Sequence, residues 1–75
     1  MAKVILEGWQ EGLEKVTLTK LQISMLGKSL LESKSNVDAL LEDKKVTIEI
    51  ESLDLANDFL HESQKIGVNC KVIAF

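Results

Sequence analysis

Acid–base or nucleophilic chemistry needs a base within hydrogen-bond reach of a second polar group. Few side chains in these 75 residues qualify: there is one histidine, His61, and one cysteine, Cys70. His61 follows Leu60 in a segment of helical pattern, where a solvated helix residue is the simpler reading. Cys70 alternates with Val68 and Val72, the pattern of a small core residue in a strand. A reactive thiol would need nearby positive charge to lower its pKa. One cysteine and one histidine do not make a zinc spacing. Asp38, Glu42 and Asp43 cluster, but without the glycine-centred loop of a calcium site. Neither a Walker glycine loop nor a dinucleotide fingerprint occurs. No catalysis, metal or cofactor is expected.

The remaining chemistry is that of surfaces. Lys15, Lys20, Lys28 and Lys34 recur through one region and share a face if that region is helical. Scattered solvated lysines or a binding patch both fit. Ile5, Trp9, Ile73 and Phe75 are the other candidates, as an apolar cluster. Aromatic anchors of this kind are favoured at protein interfaces.

Elements must position these residues, and composition limits them. The chain is long enough for one domain, residues 1–75. A domain this small buries only about 60% of its unfolded surface, leaving little room for a deep pocket. Hydrophobic residues make up 45% and charged residues 28%, a globular balance. The net charge of -3 argues against a nucleic-acid surface. A single cysteine allows no internal disulfide and fits a reducing compartment. The apolar start Met1 to Leu6 is too short for a signal peptide or a membrane span. Cytoplasm is the expected location, and no membrane contact is expected.

Lys3 to Leu6 reads as a first strand, followed by a loop from Gly8 to Gly12. Leu13 to Leu26 is ambiguous. Val16, Thr17, Leu18 and Thr19 alternate like a strand, while Leu13, Val16, Lys20 and Ile23 fall on helical spacing. Gly27 would end a helix here. Ser29 and Glu32 fit a capping box, and Leu30, Val37, Leu40 and Leu41 form an apolar stripe of a helix to about Leu41.

Val46, Ile48 and Ile50 alternate with Thr47, Glu49 and Glu51, the clearest strand signal in the chain. One face is acidic, so the sheet is covered on one side. Ser52 caps a third helix with a stripe of Leu55, Ala56, Phe59, Leu60 and Ser63. Gly67 ends it, and Val68, Cys70 and Val72 mark a last strand. The order β-α-α-β-α-β predicts an α+β two-layer sandwich with the helices on one sheet face. The first strand lies between the other two and antiparallel to both.

This order, with Lys15, Val16, Lys20, Gly27, Leu30, Glu32, Lys34 and Val37, resembles the C-terminal domain of the bacterial ribosomal stalk protein L-seven/L-twelve. A second match is the helix ending Gln64-Lys65-Ile66-Gly67 before a short strand. The resemblance implies a protein-interaction module linked to translation. It marks Lys15, Val16, Lys20 and Lys34 as contacts to a protein partner. The chain departs from the pattern at Ile23, Ser29 and Leu31. The fold is also similar to the Clp protease adaptor for destabilising N-termini, whose opening strand resembles Lys3 to Leu6. That adaptor follows its strand with Asn-Asp, where this chain has Glu7-Gly8-Trp9.

A second expectation concerns oligomeric state. Adjacent first and last strands would gather Ile5, Ile73 and Phe75 on the open sheet face, with Trp9 just beyond. This gives either a homodimer interface or an edge closed by Trp9 and Phe75. A homodimeric structural or regulatory protein is the alternative to the partner-binding module.

Overall fold

The computed structural model describes residues 1–74. Its elements are β1 (Ala2–Trp9), α1 (Lys15–Leu26), α2 (Leu30–Leu41), β2 (Val46–Ile50), α3 (Leu53–Lys65) and β3 (Val68–Ala74). Phe75, expected on the open sheet face, lies outside the described residues.

The strands form one antiparallel sheet of order β2-β1-β3. Val4 pairs with Ile48 on one side and Val72 on the other, and Leu6 pairs with Val46 and Cys70. Cross-strand partners share a sheet face. Ala2, Val4, Leu6, Val46, Ile48, Ile50 and Val68 therefore form one continuous buried floor. Leu18, Val37, Leu40, Ala56 and Phe59 close over it from the helices. α2 and α3 lie on the sheet, and α1 packs against both of them. The expected α+β two-layer sandwich is the fold found.

Local chemistry explains most element ends. Ser29 Oγ accepts from the Glu32 N–H at 3.1 Å, and Ser52 Oγ from the Leu55 N–H at 3.2 Å. Each supplies an acceptor to one of the unpaired N–H groups of a first helical turn. Glu32 does not complete the box but pairs with Lys28 at 3.2 Å. Gly27 takes the left-handed conformation, φ 66, and ends α1. Asp43 takes the same conformation, φ 64, after α2. Its N–H bonds to the Leu40 carbonyl, and that of Lys44 to Ala39, a Schellman-type closure.

The ambiguous stretch is a helix. Its start has no side-chain cap, so tertiary bonds set it. The Glu14 N–H reaches the Ile66 carbonyl at 3.1 Å, and the Gln10 N–H reaches Gly67 at 2.8 Å. The turn between α3 and β3 thus clasps the entry to α1.

Two expectations need correction. Leu30, assigned to an apolar stripe, is 54% exposed because it sits at the first position of α2, past the packed part of the hairpin. Ser33 takes the buried place instead. β1 also runs on through Gly8 and Trp9, which were expected in a loop. The register passes from Leu6–Cys70 directly to Gly8–Asn69, leaving Glu7 as the extra residue of a β-bulge. Trp9 then opposes Val68, a core residue. The bulge thereby turns Trp9 to the helix side of the sheet, away from Ile5 and Ile73.

Candidate functional site

α1 and α2 form an antiparallel hairpin with a polar lock at its centre. Gln22, fully buried, donates from Nε2 to the Leu18 carbonyl at 3.3 Å and the Ser33 carbonyl at 3.2 Å. Its Oε1 accepts from Asn36 Nδ2 at 2.8 Å. A buried amide is tolerable because its polar atoms are satisfied. The lock fixes how far apart the two helices stand.

Beside it the hairpin opens into a groove of about 210 Å³. Val16 and Thr19 of α1 face Val37 and Leu41 of α2, with Lys15, Lys34 and Asp38 also lining it. The site is a shallow, mainly apolar channel with two cations and one anion on its wall. Val16 is 68% exposed, so its burial on contact would contribute to binding. Four large apolar side chains of this hairpin are exposed: Val16, Ile23, Leu30 and Leu31. They are half of the eight such residues among those described. The apolar exposure is thus concentrated on one pair of helices, not scattered over the surface.

Three of the four contact positions marked by the resemblance meet in this groove: Lys15, Val16 and Lys34. Lys20 is exposed on α1 but does not line it. Lys28 lies in the turn between the helices and is paired with Glu32. Thr19, Val37, Asp38 and Leu41 were not singled out as site residues. Val37 and Leu41 read as core from periodicity, and Asp38 as part of an acidic cluster without a calcium loop.

On the open sheet face, Ile5 opposes Thr47 and Lys71, while Ile73 opposes Lys3. Ile5 and Ile73 are diagonal neighbours, each beside a lysine. Lys71 also bridges to Glu7 at 3.3 Å. Among the described residues of this face, Ile5 and Ile73 do lie together, set among charged side chains.

His61 is exposed on α3. Burial pushes the Cys70 thiol up to about 11, and the Glu7 carboxylate adds to the effect. The Cys70 Sγ sits 3.8 Å from the Leu60 carbonyl and 3.9 Å from that of Val68. Such a thiol is protonated at neutral pH and a poor nucleophile. Among the described residues no three acidic, cysteine or histidine side chains converge to hold a metal. No helix among them is long and apolar enough to cross a membrane. A second recess of about 370 Å³ lies between Leu26, Lys28, Ile50 and Leu55. Glu49, Glu51 and Ser52 complete its wall, so it mixes both signs of charge without a convergent set of donors.

Compared with protein-family models and with curated proteins, the chain matches none.

Proposed function

We propose that the chain is a protein-interaction module that receives a partner protein in the groove between α1 and α2. The observation that carries this is a groove that brings the apolar Val16, Val37 and Leu41 together with the cations Lys15 and Lys34 and the anion Asp38. Such a surface suits a partner that offers apolar side chains flanked by carboxylates. Support also comes from the resemblance to the stalk C-terminal domain, whose contact positions correspond to Lys15, Val16, Lys20 and Lys34, of which all but Lys20 line the groove. On that resemblance the partner is a translation factor. The protonated Cys70 and the exposed His61 lend no support to an enzyme.

The test is titration of the isotope-labelled protein with purified translation factors, followed by NMR. Shifts should gather on Val16, Thr19, Lys34, Val37 and Leu41. Val16→Asp and Lys34→Glu should each weaken binding roughly tenfold, the weight of an interface anchor. Lys45→Glu, outside the groove lining, should leave it unchanged. Shifts confined to another face would remove the groove, and absence of binding to every factor would remove the link to translation.

A further inference from the structure

β2 is an edge of the sheet, paired with β1 alone. Among the described residues nothing else bonds to the backbone of Val46–Ile50, so one row of its N–H and C=O groups is open. Such a row is a template for another strand, and proteins blunt it with prolines, bulges or inward charges. β2 has none of these. Its five pairs with β1 run without interruption, and its inward side chains Val46, Ile48 and Ile50 are all apolar.

The charges at the strand ends indicate what fits. Lys45 precedes β2 and Glu51 follows it, both exposed. Among the described residues neither takes part in an ion pair. Only one antiparallel pairing of β2 with itself matches all five strand residues, the one centred on Ile48. There Ile48 meets Ile48, Val46 meets Ile50, Thr47 meets Glu49, and Lys45 comes opposite Glu51 at both ends. A two-fold axis perpendicular to the sheet at Ile48 keeps the apolar side chains of both copies on the helix side. Centring on Thr47 or on Glu49 leaves two strand residues unmatched, and the latter sets Glu49 against itself. The other edge is less suited. Pairing all of β3 with its copy centres on Lys71, a cation against its own kind even though each is bridged to Glu7.

We propose that β2 pairs with β2 of a second copy, joining the two three-stranded sheets into one with Ile48 at the two-fold axis. The interface is isologous, one edge used twice. Main-chain hydrogen bonds hold it, and the Lys45–Glu51 pairs set its register. Glu49 lies diagonal to its own copy at about 7–8 Å, but Lys45 of the second copy is its other diagonal neighbour and offsets the repulsion. A five-residue strand makes a small interface, so the dimer is weak and concentration-dependent.

Analytical ultracentrifugation of the wild type from micromolar to millimolar concentration at low salt tests the dimer. The mass should rise from 8.3 kDa toward twice that value. In a mixture of isotope-labelled and unlabelled chain, isotope-filtered NMR should show contacts between copies at Ile48 and between Val46 and Ile50. That measurement needs no variant. Lys45→Glu and Glu51→Lys should each weaken association roughly tenfold, because two opposite pairs become two like pairs. An equimolar mixture of these variants should dimerise again, since Lys and Glu then face each other at both ends. Lys34→Glu, in the α1–α2 groove, should change nothing, so this result and that for the groove are independent. A wild type monomeric at millimolar concentration would overturn the proposal and leave the edge to a strand of another protein. So would contacts between copies that fall outside β2, or a mixture that associates no better than either variant alone.

Discussion

Asn36 Nδ2 on α2 donates to Gln22 Oε1 on α1 at 2.8 Å, across a contact in which Gln22 is wholly shielded from solvent. With both Nε2 bonds made to the Leu18 and Ser33 carbonyls, Gln22 ties three points of the hairpin together. The same residue lies one helical turn beyond Thr19, which lines the groove with Val16, Val37 and Leu41. The groove's width therefore depends on a polar network and not only on apolar packing.

Gln22→Ala should lower the unfolding free energy by about 2–4 kcal/mol, through a cavity and lost hydrogen bonds. Asn36→Ala removes one bond and should cost about 1 kcal/mol. In urea denaturation the double variant should cost less than the two single costs added, because they share a partner.

Ser33 and Ser63 are buried, and neither hydroxyl has a hydrogen-bond partner among the described residues. An unpaired buried hydroxyl costs about 1–3 kcal/mol. Ser33→Ala and Ser63→Ala should each raise stability by about 1 kcal/mol. A calorimetric melting temperature that falls in either variant would show that the hydroxyl has a partner after all.

Gly27, Gly67 and Asp43 hold positive φ, and their surroundings differ. A Cβ on Gly27 would meet nothing within 4 Å, so Gly27→Ala should cost only the conformational strain of about 1 kcal/mol. At Gly67, φ 98, a Cβ would stand 3.3 Å from the Leu13 Cα. Gly67→Ala should therefore cost more than Gly27→Ala and disturb the clasp between Gly67 and Gln10. Asp43→Gly should stabilise by about 0.5–1 kcal/mol, since glycine takes that conformation without strain. Chemical denaturation should rank the three variants, from most to least stable, Asp43→Gly, Gly27→Ala and Gly67→Ala.

The Cys70 thiol keeps its proton in the folded chain up to about 11, against an ordinary 9.0. Between these values the folded state binds more protons than the unfolded one. Stability is then fully retained below about 9 and falls as pH rises toward 11. Cys70→Ala should lack this component of the alkaline loss in paired melts. Iodoacetamide should label native wild type slowly at mildly alkaline pH and rapidly once the chain is unfolded in urea.

Much of the fold was legible because local chemistry and tertiary placement agree. Val46, Ile48 and Ile50 alternate with Thr47, Glu49 and Glu51, and the core takes only the first set. Ser29 and Ser52 announce the starts of α2 and α3, and Gly27 the end of α1, because each satisfies or relaxes its own backbone. The antiparallel middle position of β1 followed from the order of elements. Legibility failed where a residue's side is set by something distant in sequence. α1 buries Leu18 and Gln22 while exposing Val16 and Ile23, so apolar residues on two faces blurred its period.

By itself, then, the sequence determined the element types after Gly27, their caps and the strand order. Only the tertiary structure decided that α1 is a helix, started by bonds to Ile66 and Gly67 instead of by a cap of its own. Only it set Ser33 in the core in place of Leu30, and turned Trp9 away from Ile5 through the bulge at Glu7. The physical reason is the same in each case. Periodicity tells which side chains of one element lie together, whereas what covers them depends on neighbours brought in from elsewhere in the chain. Lys15 and Lys34, nineteen positions apart in sequence, share a groove only because Gln22 and Asn36 hold their helices side by side.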